Sequence, residues 1–115
     1  MLRRLPRLAM LALMAAMAAS LPAAAHLLKI YAEVADGVVA GEAYFSTGTV
    51  PSGVTVQVYG PGQHKLGETV TDDHGKFHFT PTVRQNLTFM IDAGDNHRAE
   101  WTVEADELPA TLPAR

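Results

Sequence analysis

The 115-residue sequence predicts an all-β fold: a single seven-stranded antiparallel β-sandwich preceded by an N-terminal signal helix. Three observations carry this reading. Segments such as Val54-Thr55-Val56-Gln57-Val58-Tyr59 and Lys76-Phe77-His78-Phe79-Thr80 alternate with period two, which sends one face of an extended chain to a core and the other to water. Turn-forming residues punctuate the chain at spacings of roughly 8 to 12 residues, the rhythm of short antiparallel strands. No segment after residue 26 carries the helical period.

Taken in order, Leu27 to Val34 puts Leu28, Ile30, Ala32 and Val34 on one face. Asp36-Gly37 is a two-residue hairpin signal, because both positions of that turn need a left-handed backbone. Val38 to Phe45 follows, with Val39, Gly41, Ala43 and Phe45 on one side and Glu42 and Tyr44 on the other. A Ser/Thr/Gly/Pro loop over residues 46–53 leads to the strand Val54–Tyr59, and Gly60-Pro61-Gly62 turns the chain. Lys65 to Val70 is a weaker strand, and Asp72-Asp73-His74-Gly75 is a turn with Gly at a positive-φ position. Lys76 to Thr80 points Phe77 and Phe79 inward, and Pro81 to Asn86 connects to Leu87–Ala93. Gly94-Asp95-Asn96 is the last turn before a strand from His97 to Val103, which is expected to bury Ala99, Trp101 and Val103. Arg98 and Glu100 share its outer face and are expected to pair there. The domain therefore runs over 26–104, and residues 105–115, with Pro109 and Pro113, are expected to be a disordered tail.

Residues 1–25 read as a signal peptide. Arg3, Arg4 and Arg7 precede an unbroken apolar run of 12 residues, Leu8 to Ala19, and Ser20-Leu21-Pro22 breaks it ahead of Ala23-Ala24-Ala25. That run is shorter than the roughly 20 apolar residues a spanning helix needs. The expected location is exported and periplasmic; an uncleaved leader would instead leave the domain anchored. Cleavage after Ala25 makes His26 the first residue of the mature protein, with a free α-amine.

Charge and composition narrow the function. Residues 26–115 hold 6 basic and 12 acidic groups, so the domain is acidic and lacks the cationic surface a nucleic-acid binder requires. With no Cys there are no disulfides, thiolate metal sites or Cys nucleophiles. No strand-turn-helix elbow surrounds a serine, which argues against a hydrolytic triad. About 90 residues fill one core and leave little room for a deep cleft, so neither enzymatic activity nor a small-molecule substrate is expected, and function moves to loops and termini.

Five histidines remain. Strand direction alternates in the sandwich, so the start of strand one, the turn before strand five and the turn between strands six and seven share an end. That end collects His26, Asp72, Asp73, His74, Asp92, Asp95 and His97. His64 falls at the opposite end and His78 projects outward from mid-strand. A mature His26 offers its α-amine and ring Nδ1 to one ion. His97, then His74, is the next imidazole, with Asp92 either ligating or holding a ligating ring. Nitrogen-rich donors suit Ni(II), Co(II), Cu(II) and Zn(II). The alternative is a structural or protein-binding sandwich with no metal site, its histidines solvated. A copper oxidant built on a terminal His would need a flat aromatic face, which this strand pattern does not offer.

Thr71-Asp72-Asp73-His74-Gly75-Lys76-Phe77-His78-Phe79 resembles the turn-strand signature of carboxypeptidase-regulatory-like (transthyretin-like) domains, which implies an Ig-like/transthyretin-like sandwich. His26-Leu27-Leu28-Lys29-Ile30-Tyr31-Ala32, Gly41-Glu42-Ala43-Tyr44-Phe45-Ser46 and Asp92-Ala93-Gly94-Asp95-Asn96-His97-Arg98-Ala99-Glu100-Trp101 resemble the NikL/CbiL-type accessory proteins of nickel and cobalt energy-coupling-factor transporters. That resemblance implies a non-enzymatic, exported role in nickel or cobalt uptake beside membrane-embedded transporter subunits, with Ni(II) or Co(II) as the ion. Many relatives continue into a C-terminal membrane segment, whereas this sequence stops at Arg115.

Overall fold

A computed structural model describes residues 27–114. The expected signal helix and His26 lie outside the described residues. Seven strands form in chain order: β1 (Leu28–Ala35), β2 (Val38–Phe45), β3 (Thr55–Tyr59), β4 (Lys65–Val70), β5 (Lys76–Phe79), β6 (Leu87–Asp92) and β7 (Arg98–Val103). Period-two alternation and turn residues thus place every strand to within a residue or two. Short 3-10 turns occupy Pro61–Gln63 and Ala105–Glu107. Among the described residues no helix is long and apolar enough to cross a membrane.

The strands make two antiparallel sheets, ordered β1-β2-β5 and β4-β3-β6-β7. Leu28, Ile30, Ala32, Val39 and Ala43 from the first sheet meet Val56, Val58, Phe89, Ile91 and Val103 from the second, with Phe77 between them. Phe89 stacks with both Phe77 and Phe79 at ring-centroid distances of 5.8 Å. Gly41 makes room for this packing. A Cβ there would fall within 3.0 Å of Cζ, Cε1 and Cε2 of Phe77, so the bare backbone of β2 forms the seat for the ring. Asp36 and Gly37, at φ 52° and 79°, adopt the left-handed pair that the β1–β2 hairpin requires.

Thr71 is buried at 3% exposure because its hydroxyl replaces a strand partner. Its Oγ1 accepts from Val54 N at 2.9 Å, while Thr71 N donates to Val54 O at 2.9 Å. The chain can therefore leave β4 and cross to the other sheet without abandoning buried backbone groups.

Three expectations are corrected. Trp101 keeps the inward phase of β7, opposite Phe89, yet is 41% exposed. β7 is an outer strand of its sheet, and among the described residues no strand pairs with its free edge. The tail is ordered. Glu104 and Glu107 cap the 3-10 turn reciprocally, Asn86 Oδ1 accepts from Ala105 N at 2.8 Å, and Arg84 N donates to Pro113 O at 2.7 Å. Leu108 enters the core at 4% exposure and Leu112 packs on its margin. Two leucines and a capping box hold what the prolines suggested was loose. Arg98 pairs not with Glu100 but with Asp92, directly opposite in register, at a loose 3.7 Å.

Candidate metal centre

The register places the ends of five strands at one pole of the sandwich. Leu28 opposes Phe45, Glu42 opposes Lys76 and Asp92 opposes Arg98, and the Phe45 and His97 rings, 5.2 Å apart, bring the two sheets together at that end, so β1, β5 and β7 begin where β2 and β6 end. This is the pole at which the sequence gathers its histidines and carboxylates.

The β6–β7 turn is built under strain. Ala93 N donates to His97 O and His97 N to Gly94 O, both at 2.8 Å, and Gly94, Asp95 and Asn96 all have positive φ (83°, 52° and 65°). Gly adopts that region freely, while Asp and Asn are the side-chain-bearing residues that tolerate it best. Asp92 supports the turn from below, its Oδ1 accepting from Gly94 N at 2.9 Å. With Oδ2 facing Arg98, the carboxylate is engaged as a brace for the turn.

The turn aims His97. Its ring lies edge-on to Phe45, at a centroid distance of 5.2 Å and 85° between planes, and Nδ1 sits 3.0 Å from Gly94 O. A carbonyl can only accept, so Nδ1 is the donor in this contact, and Nε2 is the nitrogen that the neutral ring offers to a ligand. A backbone carbonyl fixing one ring nitrogen while the other stays free is how ligating histidines are commonly oriented. Phe45 also ties this ring to the start of β1. Leu27 N donates to Ser46 Oγ at 3.2 Å and Ser46 N donates to Leu27 O at 2.8 Å, so the residue following His26 is clamped next to the residue that carries the His97 ring.

The turn before β5 forms a second group. Asp72 Oδ1 accepts from His74 N at 2.8 Å and Lys76 N at 2.9 Å, and Gly75, at φ 75°, closes the turn. A Cβ at Gly75 would overlap Ala43 O, whose strand also hydrogen-bonds Gly75. The N–H groups of Lys76 and His74 hold the Asp72 carboxyl below its ordinary range. His74 Nδ1 lies 3.0 Å from Asp73 Oδ1, both side chains being largely in solvent. Among the described residues, Asp72, Asp73 and His74 are the one group of three or more whose ligand atoms lie within 4.8 Å of one another.

The structure therefore brings His97 to the β1 end, as strand parity requires, and divides the rest. Neither His97 nor Asp92 belongs to the Asp72-Asp73-His74 group. Asp95 sits in the turn itself, exposed. His64 lines an open cavity at the other pole with Pro61, Leu66 and Gln85. His78 stands opposite Ala40 on the outer face of the three-stranded sheet. Sequence reasoning missed Phe45 as the wall for His97 and Ser46 as the clamp for Leu27. Neither carries a local signal, since each acts on a residue roughly twenty or more positions away.

No family model, curated protein or solved structure matches this chain.

Proposed function

We propose that this chain is an exported, non-enzymatic accessory of a nickel or cobalt uptake system, built on a transthyretin-like sandwich whose β1 pole binds the transported ion. The reading takes its ion and its transporter partner from the resemblance of the His26–Ala32, Gly41–Ser46 and Asp92–Trp101 segments to NikL/CbiL-type proteins. One observation carries the site: the His97 ring sets Nδ1 3.0 Å from Gly94 O, which makes Nε2 the nitrogen available to an ion, beside the strand end where Leu27 is clamped.

Removal of the leader after Ala25 would give His26 a free amine. The amine and Nδ1 of His26 close a chelate ring on the ion, and Nε2 of His97 adds a third nitrogen. Such a donor set favours Ni(II), Cu(II) or Co(II) over hard cations. The His26 donors must be deprotonated, with ordinary values of about 6.5 for imidazole and about 7.8 for an α-amine, so affinity rises with pH through that window. Asp92 braces the turn, and the exposed His74–Asp73 pair offers a weaker second foothold on the same pole. Exchange with solvent on a loop-built pole suits capture and hand-over to membrane-embedded subunits rather than permanent storage.

The test is to sequence the amino terminus of the exported protein, then titrate it with Ni(II) and Co(II) by calorimetry. Saturable binding that weakens in His97→Ala, and is lost when one Ala precedes His26, supports the proposal. Unchanged affinity in both variants defeats the site and leaves a structural or protein-binding module.

A further inference from the structure

Met90 breaks the alternation of β6. Leu87, Phe89 and Ile91 point into the core, so Met90 points to the outer face of the four-stranded sheet, where its strand neighbours are polar; it is nevertheless only 9% exposed. It is the floor of an open groove of about 390 Å³ walled by Tyr59, Gln63, Thr88, Arg98 and Glu100. That volume is within the range of small-ligand sites, as is the pattern of an apolar floor under a few convergent polar groups.

An outward strand position is filled more cheaply by Thr, as at Thr88 and Thr102, whose hydroxyls lie 3.0 Å apart in the next row. A buried apolar side chain among polar neighbours points to a surface shaped for contact.

Of the two charges at the groove, Arg98 is held only by a loose pair with Asp92, and Glu100 has no ionic partner among the described residues. Arg98 Nε lies 3.7 Å from Asp92 Oδ2 and Nη2 lies 3.9 Å from Met90 Sδ, which leaves most of its five donors without an acceptor among the described residues. Glu100 takes part in no ion pair among the described residues. Being two residues apart on one face of β7, their Cα atoms are separated by about 6.7 Å. A polyanion is repelled by Glu100, a simple cation by Arg98, and a neutral ligand engages neither charge.

We propose that this groove binds a free α-amino acid as its zwitterion. The carboxylate takes the planar donor fork of Arg98, the ammonium takes Glu100, and an apolar or aromatic side chain lies on Met90 and Tyr59. The groove lies on the outer face of the four-stranded sheet, touching the β1 pole only through Arg98, and the proposal does not depend on metal binding at that pole.

Met90 is the only methionine after Met17, so its methyl resonance reports the groove directly. The full chain, labelled at the methionine methyl carbons and assigned with Met90→Leu, is titrated with phenylalanine, leucine and N-acetylphenylalaninamide. The expected result is a saturable shift of the Met90 signal with the free amino acids, at a Kd on the order of 1 mM. Affinity falls about tenfold or more in Arg98→Gln and in Glu100→Gln. The blocked compound, which has the side chain but neither charge, gives no saturable shift. A Met90 signal unmoved by every amino acid, an equal response to the blocked compound, or affinity unaltered in both variants overturns the proposal. Both substitutions are at exposed side chains, and thermal melts of the variants verify that the fold is retained.

Discussion

Gly41→Ala is the sharpest probe of how this small core is assembled. The added methyl would run into the tip of the Phe77 ring, and even the farthest of the three ring carbons it meets, Cε1 at 2.7 Å, falls about 0.7 Å short of ordinary contact at 3.4 Å. The ring cannot simply slide away. Phe77 is 1% exposed and backed by Phe89 at 5.8 Å, and Phe89 is itself held by Phe79 from the other side. Relief must come from separating β2 from β5 or from driving the ring off its rotamer, and overpacking of this kind costs about 1–3 kcal/mol, occasionally more. With three adjacent carbons at the tip of the ring overlapped, the upper end is expected. At about 4–8 °C per kcal/mol for a domain of this size, a loss of about 3 kcal/mol lowers Tm by about 12–24 °C. Urea unfolding of the single and double variants, followed by circular dichroism and Trp101 fluorescence, measures it. Phe77→Leu shortens the clashing ring, so Gly41→Ala/Phe77→Leu should be at least about 1 kcal/mol more stable than the sum of the single losses predicts. A Gly41→Ala loss below about 1 kcal/mol, or strictly additive variants, would refute the view that Gly41 exists to seat Phe77.

Three further outcomes follow from individual contacts. Leu108→Ala should cost about 2–5 kcal/mol, the range for a buried leucine, because residue 108 belongs to the core rather than to a loose tail; chemical denaturation checks this. The Asp72 carboxylate is favoured in the fold by the N–H groups of Lys76 and His74, so the stability it brings is complete above its ordinary value of 3.8 and drains away as pH falls through its lower folded value. Asp72→Asn should therefore flatten the acid limb of Tm against pH below 3.8 and leave its slope near neutrality unchanged. Tyr31 donates to Glu42 Oε2 at 2.8 Å, which raises its phenol above the ordinary 10.0, so its stabilising contribution is present below 10.0 and lost as pH climbs through the higher folded value. Ultraviolet titration should show one tyrosine ionising late, and Glu42→Gln should bring that transition down.

How far the candidate site could be read from residues alone depends on how far each determinant reaches along the chain. Gly94-Asp95-Asn96 announces its own left-handed turn, and counting strands puts His97 at the β1 pole, because parity in an antiparallel sandwich is a topological fact. The aim of the His97 ring is another matter. It depends on Phe45 and on the Gly94 carbonyl, and an aromatic contact across more than fifty residues leaves no trace in local composition. Of the seven carboxylates and histidines expected at one pole, the six among the described residues share that end without forming one cluster. Asp92 and Asp72 are occupied by backbone N–H groups of their own turns, as short acidic side chains in turns usually are.

By itself the sequence determined what is local and periodic: seven strands, their inward faces, the hairpin at Asp36-Gly37 and the sheet-forming character of the whole. Those follow from two-residue alternation and backbone preference, which act within a few residues. Tertiary structure alone decided which side chains a strand edge leaves uncovered and which distant groups meet. Trp101 carries an inward phase but lies on an outer strand; Leu108 carries no strand phase but finds a gap in the core; Arg98 turns from Glu100 to Asp92 across the ladder. In each case the outcome depends on the space and charge left by residues far away in the chain, and packing sets that only once both sheets have closed.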